Sequence, residues 1–206
     1  MSFPLVSHRR RRCLQGLAGA AVLASTGGCS PERAAPSSAA AIDVTGAEYG
    51  RDFRLQDPGG AWRTLADYRG RAVMVFFGFT QCPDVCPTAL FKAAETLQIL
   101  GAEAARVQVL FISLDPERDT PQILQAFAET FHPGVVALRG DAERTRLTAE
   151  HFKVFYRKVP LNGSYTIDHT ALVYLYDPAG RLRRALRTSL TAEQQATEVR
   201  ALLQGA

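Results

Sequence analysis

An α/β fold with a mainly parallel central sheet flanked by helices follows from two runs of strand length. Residues 72–79 (Ala-Val-Met-Val-Phe-Phe-Gly-Phe) and 107–114 (Val-Gln-Val-Leu-Phe-Ile-Ser-Leu) are almost wholly apolar and rich in branched and aromatic side chains, as strands covered on both faces are. Each leads into a stretch of good helix formers, and strand, helix, strand, helix in succession implies parallel pairing. The 206 residues, 47% hydrophobic and without an internal repeat, suffice for one well-buried domain.

The elements read in chain order as follows. Residues 53–55 and the Asp57-Pro58-Gly59-Gly60 turn suggest a small N-terminal hairpin, and residues 65–68 lead through Gly70 into the first central strand. After that strand come Cys82 and Cys86, with three residues between them, and then a helix: Pro87 suits a first turn, and residues 89–100 contain no breaker. Cys86 is thereby expected at the helix entrance and Cys82 in the preceding loop, where unpaired N–H groups and the helix dipole favour a thiolate. Following the second central strand, Asp119 or Thr120 caps a helix over residues 121–131. A short strand at 135–138, a helix at 142–152 and a strand at 171–176 come next. The turn Asp177-Pro178-Ala179-Gly180 then sends residues 182–186 back antiparallel, and residues 192–203 form the last helix.

The formal charge of +4 disappears once it is located. Arg9, Arg10, Arg11 and Arg12 are the only charged residues before position 30, and the rest of the chain balances 20 acidic residues with as many basic ones. A nucleic-acid partner has no compositional support. The arginines precede a short apolar run, residues 14–24, and then Ser25-Thr26-Gly27-Gly28-Cys29, which is the zone order of an export signal. Residues 1–29 are therefore read as an export signal or membrane anchor, with Cys29 as a lipid-acceptor candidate and an uncleaved anchor as the alternative. Thr26 stands where a lipoprotein signal normally carries Leu, and the arginine run suits either general or twin-arginine export. Residues 30–47, rich in Ala, Ser and Pro, read as a flexible tether, and residues 48–206 as the folded domain.

Three sequence blocks are more specific than the composition: Phe76-Phe77-Gly78-Phe79-Thr80-Gln81-Cys82-Pro83-Asp84-Val85-Cys86-Pro87, Asp115-Pro116-Glu117-Arg118-Asp119-Thr120-Pro121, and Asp168-His169-Thr170 leading into Tyr174-Leu175-Tyr176-Asp177-Pro178-Ala179-Gly180. In this order they closely resemble the Sco/SenC family, thioredoxin-like proteins implicated in building the binuclear copper centre of cytochrome c oxidase. The resemblance implies a thioredoxin-like central sheet flanked by helices, with an N-terminal hairpin extension. It also implies a membrane-tethered domain on the periplasmic or outer side of the cytoplasmic membrane, whose partners are the copper-bearing oxidase subunit, a thiol reductant and a further copper chaperone.

The expected site follows from topology and chemistry together. Parallel strands bring Cys82 and Asp115 to one sheet edge, and a strand antiparallel to them starts there, so Asp168 and His169 should lie near the thiols. The Asp-His-Thr match makes His169 the third ligand. Two thiolates and an imidazole are a soft set suited to Cu(I), and to Cu(II) through a thiolate bond, while they are too few for a closed structural zinc site. Met1 and Met74, the only methionines, offer no thioether site. In an oxidising compartment Cys82 and Cys86 tend to close into a disulfide, so copper binding needs them reduced. Asp115, Asp119 and Asp168 each admit ordinary turn or cap roles beside a functional one. The arginines at 181, 183, 184 and 187 alternate with apolar residues and read as a solvated face, and His132 and His151 as packing or surface residues. Two functions remain: a copper metallochaperone, or a thiol-disulfide reductase acting on the oxidase's copper-ligand cysteines. Thiol oxidoreductases of this fold typically place two residues between their cysteines and a cis-proline before the facing strand; this chain has three residues there and no proline at 161–171, which favours the first.

Overall fold

The computed structural model describes residues 41–205. In chain order these form β1 (Ala41–Asp43), β2 (Leu55–Gln56), β3 (Trp62–Arg63), β4 (Ala72–Gly78), α1 (Val85–Leu100), β5 (Val107–Ser113), α2 (Pro121–Phe131), β6 (Val135–Leu138), α3 (Ala142–His151), β7 (Tyr156–Leu161), β8 (Ser164–His169), β9 (Leu172–Tyr176), β10 (Leu182–Arg187) and α4 (Ala192–Gln204). Six strands make one sheet in the order β1-β10-β9-β4-β5-β6. Its β4, β5 and β6 run parallel, whereas β9 is antiparallel to β4, β10 to β9, and β1 to β10.

The apolar runs of β4 and β5 are continuous because both faces of the sheet are covered. Met74, Phe76, Val109 and Phe111 pack with α1, α2 and α4, while Val73, Val75, Phe77, Leu110 and Ile112 pack with Phe152 and Tyr174 on the opposite face. Each large side chain so buried contributes roughly 1.5–3 kcal/mol relative to an exposed one. The helices begin where the caps place them: Thr120, Asp141 and Thr191 accept backbone N–H bonds from Ile123, Arg144 and Gln194. Helix α1 stops at Gly101, whose φ of 57° lies in the left-handed region.

Two expectations change. Residues 41–43 fall in the stretch read as a tether, yet they form an edge strand, Ala41 facing Leu186 and Asp43 pairing with Arg184 at 2.9 Å. A polar-rich approach hid a strand of only three residues. The second change is a hairpin, β7–β8, in its own two-stranded sheet, where the sequence reading placed nothing. The arginine-rich face of β10 is ion-paired: Arg181 and Arg183 meet Asp177, and Arg184 meets Asp43 and Glu198. Cys29 and the segment read as a signal or anchor lie outside the described residues. Among those described, no helix is long and apolar enough to cross a membrane.

Candidate metal centre

Strand β4 ends at Gly78, and the loop after it holds Cys82, half-buried, with its N–H bonded to the Phe79 carbonyl at 3.2 Å. Cys86 is the second residue of α1 and fully buried. Its N–H donates to Cys82 Sγ at 3.4 Å, so the helix start supplies a donor to the outer sulfur, as an unpaired N-terminal N–H can. Gly78 makes the inner thiol's seat: a Cβ there would stand 2.8 Å from both Cys86 Sγ and the Phe111 ring. Both cysteines are free thiols.

His169 closes the site from the end of β8. Its Nε2 is 3.6 Å from Cys86 Sγ, and its Nδ1 is 3.0 Å from the Thr170 carbonyl. A carbonyl only accepts, so that bond puts the proton on Nδ1 and leaves the Nε2 lone pair facing the sulfur. Phe76 and Phe79 meet the imidazole edge-on, at 6.2 and 6.0 Å between centroids. The donor atoms of Cys82, Cys86 and His169 all lie within 4.8 Å of one another, and among the described residues they are the one such group of His, Cys, Asp or Glu.

The two thiols are electrostatically unlike. The hydrogen bond with Cys86, helped by backbone N–H groups, brings Cys82 down to about 4. Cys86 moves upward, first because it is the donor in that bond and then because it is buried. The reduced pair is thus a thiolate outside and a thiol inside, sharing one proton.

The acidic residues divide. Asp119 is fully buried and is not the helix cap; Thr120 is. Its carboxylate accepts from Thr80 Oγ1 and Ser113 Oγ, each at 2.6 Å, and from the Thr80 N–H, with burial raising its pKa despite them. It fastens the start of the thiol loop to the end of β5. Asp115, also fully buried, pairs with Arg118 and accepts from Tyr165 Oη at 2.7 Å. Asp168 is on the outer face of β8, exposed and paired with Arg157 at 3.1 Å, so it neighbours the site in sequence without facing it. His132 Nδ1 accepts from the Gly134 N–H, and His151 Nδ1 lies 3.0 Å from the Asp52 carbonyl, 99 residues away.

Sequence reasoning missed Arg118 and Tyr165, which border the site from β5's following loop and from the overlooked hairpin. The signal was present in Asn162-Gly163, a dipeptide of two-residue hairpin turns, here with φ of 43° and 77°.

The sequence pattern of the SCO1/SenC family matches residues 43–204. The "SCO2-like protein" of Rickettsia felis is 37% identical over 139 residues, 65% of this chain and 67% of that protein. "Protein SCO2 homolog, mitochondrial" of Bos taurus is 38% identical over 153 residues, 72% of this chain but only 58% of its own length. Among solved structures, Bradyrhizobium japonicum ScoI with copper bound superposes with a TM-score of 0.70 at 39% identity, covering 76% of this chain and all of that one. The fold is thioredoxin-like, and its Cys-Cys-His group is a donor set of the kind copper takes.

Proposed function

The chain belongs to the SCO1/SenC family, and from that premise we propose that it is a copper metallochaperone that loads the binuclear copper centre of cytochrome c oxidase. Cys82 and Cys86 hold the ion as thiolates and His169 adds a nitrogen, so Cu(I) is carried on two sulfurs and Cu(II) on all three donors. The observation that carries this reading is the convergence of the three donor atoms, from segments 83 residues apart, to within 4.8 Å. Copper is cargo: it leaves by ligand exchange when the acceptor's ligands replace the outer Cys82 before the buried Cys86. Residues 1–29 serve as the export signal or anchor, tethering the domain on the outer side through a lipid on Cys29 or an uncleaved apolar segment, and the oxidase's copper-bearing subunit, a thiol reductant and a copper donor are its partners.

Anaerobic Cu(I) titration of the reduced protein tests the reading. One ion per chain is expected for wild type. Cys82→Ala and Cys86→Ala should each weaken binding by more than the roughly 10–100-fold that an outer-shell partner is worth. Equal uptake by the disulfide form would remove the thiols from the site.

One observation favours a second reading. A half-buried low-pKa thiolate backed by a fully buried thiol is also the arrangement of a thiol-disulfide reductase. Cys82 would attack a target disulfide, Cys86 would resolve the mixed disulfide, and the target's two thiols would leave as Cys82–Cys86 oxidises. A disulfide-reduction assay run beside the titration separates the two.

A further inference from the structure

Strand β8 carries His169, but β8 belongs to a hairpin outside the six-stranded sheet, so no ladder of the main sheet fixes where the imidazole sits. Side chains must do it. Tyr165, Ile167 and His169 share one face of β8, since alternate residues point the same way. Ile167 is buried in the core, and Tyr165 lies against Arg118, the guanidinium carbon 3.6 Å from the ring centroid.

Arg118 bonds in three directions. Nε pairs with the buried Asp115, which also takes the Tyr165 hydroxyl. Nη1 donates to the Tyr165 carbonyl at 2.8 Å, holding the backbone of the imidazole's strand, and to Gln81 Oε1 at 3.1 Å, holding the residue next to Cys82. The guanidinium also lies 5.9 Å from the ring of Phe79, whose ring meets His169. One planar fork therefore touches the thiol loop, the His169 strand and a fixed buried anion at once. A lysine's single ammonium cannot span all three.

We propose that Arg118 is the positioning residue of this site, clamping the His169 hairpin to the thiol loop so that the three-donor arrangement is preformed while the two-thiolate one does not depend on it. The spectroscopic arm below rests on the copper reading; the exchange arm does not.

Arg118→Ala leaves Asp115 buried without its cation, so Arg118→Lys is made beside it to keep that charge paired. Native-state amide exchange of the metal-free reduced protein is compared with wild type and His169→Ala. Amides of residues 156–169 should exchange at least about tenfold faster in both Arg118 variants, the scale of losing one charge-assisted hydrogen bond, with β4 and β5 unchanged. The thiolate-to-Cu(II) charge-transfer band should move toward that of His169→Ala, while Cu(I) affinity stays within about threefold of wild type, two sulfurs being enough for it. If Arg118→Ala does not fold, Arg118→Lys decides. Wild-type hairpin exchange in Arg118→Lys, a wild-type Cu(II) band, or equal losses of both ions would overturn the clamp. A wild-type protein that takes up no copper would sink the copper reading instead, and the exchange rates would still decide whether Arg118 holds the hairpin.

Discussion

His169 offers one nitrogen, because the Thr170 carbonyl occupies the other. Cu(I) accepts two thiolates in a nearly linear arrangement, whereas Cu(II) prefers more donors and nitrogen among them. His169→Ala should therefore nearly abolish the Cu(II) charge-transfer band and leave a weakened Cu(I) site, read by competition with a Cu(I) chelator. Cys82 and Cys86 should differ in reactivity before any metal arrives. Alkylation of the reduced, metal-free protein is expected at Cys82 first and to persist in acid to near its value of about 4, with Cys86 inert until unfolding. Since Cys82 is depressed from 9.0, its stabilising contribution is present above that value and is lost as pH falls through about 4. Wild type and Cys82→Ser should accordingly converge in denaturant midpoint toward pH 4; parallel profiles would contradict it. Gly78→Ala would push a methyl to 2.8 Å from both Cys86 Sγ and Phe111, an overpacking that costs about 1–3 kcal/mol. Thermal denaturation should show that loss, together with a shifted Cu(II) band.

The β7–β8 hairpin turns at Asn162-Gly163 with two positive φ values, a turn whose twist suits a two-residue connection. Gly163→Val strains that turn at φ 77° while a Cβ there meets no neighbour, so its effect should be local. Exchange across residues 156–169 should quicken and global stability fall by about 1 kcal/mol; unchanged exchange would mean that the side-chain clasp alone sets the hairpin. This element also marks what sequence could reveal. Strands β4 and β5 were legible because sheet burial on both faces writes an unbroken apolar run, and α2 because a capping residue just before Pro121 announces its start. His169 was placed near the thiols by the direction of the strand after it, which β9's antiparallel register with β4 supplies. The hairpin carried a legible turn at Asn162-Gly163 but no legible strands: Arg157, Lys158 and Pro160 interrupt β7, which is mostly solvent-facing, so no apolar alternation marks it. Asp119 looked like a cap because its role, holding Thr80 across 39 residues, leaves no local pattern.

The sheet gathers its chemistry at one edge. There β4 delivers the thiols, the chain after β5 delivers Asp115 and Asp119, and β9 begins just after His169. Attachment of the whole chain to a membrane is a separate question, answered by fractionating cells that express wild type or Cys29→Ala. Release of the variant into the soluble fraction is expected for a lipid anchor, and unchanged partition together with unchanged mass would assign anchoring to an uncleaved apolar segment. The claim on which the rest depends is that one copper is held by two sulfurs and one imidazole nitrogen. X-ray absorption at the copper edge of the Cu(II)-loaded protein, compared with His169→Ala, measures this directly. The account predicts two sulfur scatterers and an imidazole signal in wild type, and loss of the imidazole signal together with most of the bound Cu(II) in His169→Ala. An imidazole signal that survives in His169→Ala, or a shell without sulfur in wild type, would contradict it.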